Sequence, residues 1–511
     1  MSDGASNARE AEAEARLRDD KVASRVVLGT AARGGSFLAV QLLGLAGAIV
    51  TLRYLGADEN GRYAAVIALA TVFNALTDVG LSVAAARMLS LRRPGAERQR
   101  MVSAVAGVRL SLSIAVAPAM LAFALLAGYP SRMIAGVALA ALGVALQGIF
   151  AAYTTSLQVE LRQGRVAVTE LVRQSLTVLG IVIAVKTDAG LVGLVAALPL
   201  ASALMLLFSR WLLGRGQIVR PRLSRAEASS IVREAAPIAI ASIIGMVQMK
   251  FLVILMSIIS ASDETGYYGL TSRLYELAGG LPMLVTAVVL PVLTVAAAER
   301  RERFVLMLGR LTVVTLIAGC LGTIVFALAA RPLVFILGGA DFEPSFASVQ
   351  AQAPSILFVF LSQAAVAGIV ALGAQRRLTR VNGAGLLGIV PLGAVLVPLA
   401  DSTGAAVAAT LGDLILVVGG YVALRRAAGL PLAVRPGTDV VTVLLAATVA
   451  FLAGLAATEL TGPLLPSGAL DPAAIAGTAV AVALFVLLLA ATRTLPGEVG
   501  AALRRSPRAP A

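Results

Sequence analysis

The chain has 511 residues, 59% hydrophobic and only 14% charged, with a mean hydropathy of +0.90 and a formal net charge of +14. Soluble domains carry about a quarter charged residues, so this composition describes a polytopic membrane protein. With no histidine and a single cysteine, Cys320, it excludes an internal disulfide, a histidine metal site and a histidine proton relay.

Residues 1–30 are polar and charged and read as a cytoplasmic tail, without the basic start and apolar core of a cleavable signal peptide. Apolar runs of about 20 residues, enough to cross a bilayer, then fall near 34–54, 62–85, 103–127, 133–155, 167–186 and 190–212. These six make a first lobe over 31–213, followed by a basic linker, 214–235, that contains Pro221. Six more runs, near 236–259, 268–297, 305–328, 349–373, 382–400 and 404–424, make a second lobe over 236–427. A last pair, near 439–459 and 473–492, lies within 428–511; it is mostly Ala, Val and Leu and reads as an accessory pair. The expected fold is therefore all-α, with about fourteen spans in two six-helix lobes plus two accessory helices.

Arginines cluster in alternate loops, as at Arg92 and Arg93, Arg220 and Arg222, and Arg376 and Arg377, whereas the intervening loops are acidic, with Asp58, Glu59, Asp263, Glu264 and Asp341. The positive-inside rule then puts both termini in the cytoplasm. On this reading the net charge is a topology signal, and nucleic acid is not an expected partner.

Asp58-Glu59-Asn60-Gly61-Arg62-Tyr63 recurs as Asp263-Glu264-Thr265-Gly266-Tyr267-Tyr268, 205 residues later (263 − 58 = 205). Both copies are expected in short external loops before the second span of each lobe. Repeats of this kind set a substrate path between the two halves.

No G-x-x-x-x-G-K-[ST] loop is present, since none of Lys21, Lys186 and Lys250 follows a glycine, and the residue counts forbid H-E-x-x-H and C-x-x-C. Neither catalysis nor a cofactor nor a metal is expected; transport is. An ionisable side chain inside a span costs about 2.5–3.5 kcal/mol on insertion scales and so faces protein or water. The set is Asp78, Arg109, Glu170, Arg173, Lys250, Arg273, Glu276 and Asp413. Glu170 with Arg173, and Arg273 with Glu276, are spaced i, i+3 and read equally as local ion pairs. Lys250 and Arg109 have no such neighbour in sequence, although Arg109 is near enough to a helix end to snorkel. Arg109, Lys250 and Arg273 are the candidate substrate-binding cations, suited to a phosphate or pyrophosphate if they face one cavity. Asp78, near the cytoplasmic end of span two, is a candidate gate or a helix cap. Asp413, near the middle of span twelve, is the candidate for ion coupling, with a helix–helix hydrogen bond as its structural alternative.

The run Arg53-Tyr54-Leu55-Gly56-Ala57-Asp58-Glu59-Asn60-Gly61-Arg62-Tyr63, with Thr77-Asp78-Val79-Gly80-Leu81-Ser82 and Ala84-Ala85-Ala86-Arg87, resembles the start of polysaccharide-export flippases. These belong to the multidrug, oligosaccharidyl-lipid and polysaccharide exporter superfamily. Gly266-Tyr267-Tyr268, Arg273-Leu274-Tyr275-Glu276, Leu281-Pro282, Leu290-Pro291 and Phe335-Ile336-Leu337-Gly338 with Asp341-Phe342 extend the resemblance over roughly 25–430. It implies two lobes around a V-shaped cationic cavity and alternating access. The implied substrate is a polyprenyl-pyrophosphate-linked glycan, moved across a bacterial inner membrane, with membrane lipids, a glycan polymerase and glycosyltransferases as partners. This chain departs from the pattern where relatives carry an acid midway along span seven, because Lys250 is the charge there. The competing readings are a cation-coupled multidrug antiporter of the same superfamily and a non-transporting partner of glycan-assembly enzymes.

Overall fold

The computed structural model describes residues 3–90, 95–159, 163–213, 220–429, 438–465 and 470–492, with the backbone alone from 3 to 34. These residues are almost entirely helical, with no strand among them. The first half comprises α1 (Asp3–Ser90), α2 (Ala96–Leu126), α3 (Ser131–Val159), α4 (Gln163–Lys186) and α5 (Gly190–Leu213). The second comprises α6 (Arg225–Ile259), α7 (Ser262–Glu299), α8 (Arg301–Leu328), α9 (Ala330–Gly338), α10 (Ser345–Ala371) and α11 (Arg376–Ala428), and α12 (Thr438–Thr461) and α13 (Pro472–Ala491) follow. Residues 3–30, expected as a tail, continue the first helix.

Among the described residues, eleven helices are long and apolar enough to span a membrane, or twelve with α7 counted as one bent span. That differs from the expected fourteen, and two helices explain why spans and helices do not correspond one to one. The apolar parts of α1 and α11, Gly35–Leu89 and Arg376–Ala428, are 55 and 53 residues long, against about 20 needed for one crossing. Each is broken once. In α1 the break is Gly56, at φ 67 and ψ −176, a conformation that glycine reaches without Cβ strain. In α11 it is Ala400 and Asp401, the latter at φ 42. The bend in α7, 42° between Thr286 and Val288, lies four residues before Pro291, whose ring clashes with the carbonyl one turn back.

The expected external loops are smaller than the sequence suggests. Asp58–Tyr63 lies within α1 just past Gly56, and Asp263–Tyr268 forms the first turns of α7; the acids satisfy a helix N-terminus instead of a loop. The expected loop over 329–348 is α9 plus a 3-10 turn, Ala340–Phe342, whose fully buried Phe342 packs with Leu52, Leu270 and Leu337. The expected basic linker is also shorter than 214–235, because α6 begins at Arg225. Its extended part crosses α2, where the Arg222 amide donates to the Ser103 carbonyl at 3.0 Å, and Gly107 leaves room for the Arg222 carbonyl.

The halves meet along α1. Beyond Gly56 it packs Ala64 and Ala68 against Leu252, Val253 and Met256 of α6. In lipid, apolar side chains gain little by leaving their surroundings, so small residues that let backbones approach carry such interfaces. Gly61 and Gly266, equivalent in the repeat, do this reciprocally: a Cβ on Gly61 would lie 1.8 Å from the Ser262 carbonyl oxygen, and one on Gly266 2.0 Å from that of Ala57. At the far end of α1, a Cβ on Gly80 would meet the Ala239 Cβ at 2.5 Å. The accessory pair α12 and α13 packs on α8 around Leu316, Cys320, Ala450, Ala481 and Phe485, away from this seam.

Candidate functional site

A cavity of about 340 Å³ lies between the halves, enclosed by α1, α3, α4 and α5 on one side and α6 and α7 on the other. Its volume is at the small end of the range of about 300–1,000 Å³ for ligand sites. The two glycine contacts of α1 stand towards its opposite ends: Asn60 and Asn74 line the cavity, and Gly61 and Gly80 lie just beyond them. At the Gly61 end, Asn60 Nδ2 donates to the Gly266 carbonyl at 3.3 Å, and the Ser262 hydroxyl donates to the Asp58 carboxylate. Beyond Gly80, Arg87 Nη1 pairs with Glu234 Oε1 at 2.8 Å, joining α1 to α6.

Four charged side chains line the cavity: Arg173 of α4, Lys250 of α6, and Arg273 and Glu276 of α7. Lys250 is not without a neighbour. Its ammonium pairs with Glu276 Oε1, and Glu276 Oε2 also lies 3.4 Å from Arg273 Nη1. Sequence spacing exposes only partners on the same helix, so the i, i+3 pair was visible and the third member, on the preceding helix, was not. Arg273 Nη2 also donates to the Gly44 carbonyl at 3.4 Å, reaching the first half. Arg173 pairs with Glu170 on its own helix, while Gln174 beside it and Gln147 of α3 supply neutral polar groups.

The other sequence candidates lie elsewhere. Arg109 does not line this cavity. It is fully buried within the first half, where Nη2 donates to Ser82 Oγ at 2.6 Å and Nη1 to the Gly148 carbonyl at 3.3 Å. Bonds of this kind, from a charged donor, hold both terminal nitrogens of the buried guanidinium inside the bundle, so the side chain does not snorkel. Cations from both halves do meet, but Arg173 is the one from the first half. Asp413 lies behind the cavity, where Tyr275 OH donates to its Oδ2 at 2.8 Å, joining α11 to α7. The side chain of Asp78 lies outside the described residues.

The fold has counterparts among solved structures. That of the lipid II flippase MurJ, in an inward closed conformation, has a TM-score of 0.74 at 14% identity, covering 90% of this chain and 98% of its own. A multidrug resistance MATE family transporter of the MOP superfamily, inward-facing, has a TM-score of 0.63 at 15% identity over 78% of this chain and 96% of its own. A Vibrio cholerae MATE transporter, a VcmN mutant, has a TM-score of 0.53 at 12% identity over 80% and 97%. No curated protein sequence matches the chain. A family model described as polysaccharide biosynthesis protein matches residues 27–297. More than half of the sequence lies within that match, and the chain belongs to the polysaccharide biosynthesis protein family.

Proposed function

We propose that this protein is a secondary transporter that flips a polyprenyl-pyrophosphate-linked oligosaccharide, or a related polysaccharide precursor, across a bacterial inner membrane by alternating access. The observation that carries the reading is the charge of the central cavity, where Arg173, Lys250 and Arg273 face a single lining carboxylate, Glu276. An excess of cations over carboxylates in the lining sets a positive field, which attracts a phosphate and repels a cationic drug. Family membership supports a glycan precursor as substrate, and a similar fold occurs in a protein named a lipid II flippase. A glycan polymerase and glycosyltransferases are the partners this role entails.

Lys250 and Arg273 are the proposed pyrophosphate ligands, with Arg173 as their partner from the first half. Arg109, bonded within the first half, has no part in this reading. Asp413 is the proposed coupling carboxylate. Its partner Tyr275 immediately precedes Glu276, so a change of charge at Asp413 reaches the helix turn that holds the cavity carboxylate. Asp78 remains the proposed gating residue.

The test is translocation of a labelled polyprenyl-pyrophosphate glycan in proteoliposomes. Lys250→Ala or Arg273→Ala should slow flipping about 10- to 100-fold, equivalent to the roughly 1.5–3 kcal/mol of one hydrogen bond to a charged group. Full flipping by both variants, each folded and at normal level, would rule the assignment out.

A further inference from the structure

The two cations best placed for a phosphate already hold an anion. Glu276 accepts from Lys250 and faces Arg273, and all three line the cavity. The Lys250 and Glu276 side chains are only 11% and 16% exposed, so the pair is largely withdrawn from solvent. In such surroundings two bare cations repel and pay desolvation together, and one carboxylate between them relieves both costs. The triad is not inherited from the repeat. Shifted by 205 residues, its members fall on Leu45, Ala68 and Thr71 of the first half, which carry no charge.

We infer that Glu276 is a built-in stand-in for the substrate's phosphate: it occupies the Lys250–Arg273 anion subsite while the cavity is empty and is displaced when a phosphate group enters. This rests on the reading that the cavity takes an anionic headgroup. Binding then exchanges one anion for another. The empty carrier never presents a buried Lys250 beside Arg273 without a counter-charge as it reorients, and an intramolecular competitor always present at the site holds affinity down, so that the substrate leaves on the far side. A carboxylate at i+3 from Arg273 needs only a rotamer change to turn aside, with no movement of the backbone.

The test is binding of inorganic pyrophosphate to the purified full-length protein, measured calorimetrically. Glu276→Gln keeps the side chain's shape and removes its charge. It should tighten binding by about tenfold or more, as expected when a close like charge is removed at an effective dielectric constant of about 20. The same substitution in a Lys250→Met background should gain little, because the cation that Glu276 screens is gone. Equal gains in both backgrounds would reduce Glu276 to a distant field and overturn the proposal. So would unchanged or weaker binding by a folded Glu276→Gln protein. If that variant does not fold, Glu276→Asp serves: its shorter carboxylate reaches the cations less well and should give a smaller tightening, and no tightening overturns the idea. If the wild type binds pyrophosphate and Lys250→Ala weakens it while the Glu276 variants change nothing, the anionic-cavity reading stands and the stand-in alone fails. If neither the wild type nor Glu276→Gln binds pyrophosphate, both fail together.

Discussion

The ionisable residues within the spans divide according to what each can reach. Arg109 is fully buried and donates to Ser82 and the Gly148 carbonyl inside the first half, so its replacement should be a stability defect. Arg109→Ala should lower the midpoint of thermal unfolding and the yield of protein, at a cost of about 1.5–3 kcal/mol for each hydrogen bond lost. The surviving folded fraction should flip substrate at the normal rate per molecule; a normal melting midpoint with lost flipping would return Arg109 to the transport path. Asp413 makes the contrasting case, because the hydrogen bond it accepts from Tyr275 joins it to the helix of Glu276. Asp413→Asn keeps the shape and one acceptor, so the protein should fold while losing gradient-driven transport and retaining substrate exchange. An unchanged pH profile of uptake in that variant would leave Asp413 as a structural hydrogen-bonder. The sequence alone identified Lys250, Arg273 and Asp413 as unusual, since a charge in an apolar run is visible without a structure. It could not pair Lys250 with Glu276, which is 26 residues away on another helix, nor reveal that Arg173 and not Arg109 turns to the cavity.

At the level of helices, the repeated D-E-x-G-x-Y motif does its work through its glycine and its acids. Hydropathy located the apolar runs because a crossing needs a fixed length, but it rendered the motif as loops, since Gly56 alone makes the turn and the acids sit inside helical turns. The reciprocal approach of Gly61 and Gly266 is a backbone contact, invisible to any side-chain pattern. Glu264 adds a second tie, accepting from the Ser402 amide at 3.1 Å just past the break in α11. Because a Cβ at Gly61 would fall well inside contact distance of backbone, Gly61→Ala should push α1 and α7 apart at this end. Thr51, buried beside the cavity, provides the reporter. In a Cys320→Ala background, Thr51→Cys should resist a membrane-impermeant thiol reagent when Gly61 is present and react at least several-fold faster with Gly61→Ala. Equal protection in a folded Gly61→Ala protein would mean that the helices accommodate the methyl group and that the contact is no seal.

For the whole molecule, the two ends of α1 pose a geometric requirement. Its distal arm touches the second half at Gly61 with Ser262 and Gly266, and again at Gly80 with Ala235 and Ala239, with the cavity between. On the proposed function, a headgroup crossing from one side to the other passes both contacts, so each must open in turn. Arginine-rich segments such as Arg220–Arg222 lie at the Gly80 end, where Arg222 bonds to Ser103 of α2, and the acidic repeats lie at the Gly61 end, so the positive-inside rule predicts a cytoplasmic Gly80 end and an external Gly61 end. In the Cys320→Ala background, an external impermeant reagent should therefore label Asp58→Cys and not Arg220→Cys, with the latter labelled only after permeabilisation; external labelling at 220 would invert the topology. The same positions allow alternating access to be tested directly. The Ser262 hydroxyl bonds to Asp58, so cysteines at both positions should join under mild oxidation and hold the Gly61 end shut. On the proposed function, a locked carrier should still bind pyrophosphate from the cytoplasmic side but fail to release a headgroup outside. Flipping should fall in proportion to the crosslinked fraction and return on reduction, with the single-cysteine variants unaffected by oxidant. Undiminished flipping by fully crosslinked protein would mean that the substrate does not leave through this seam.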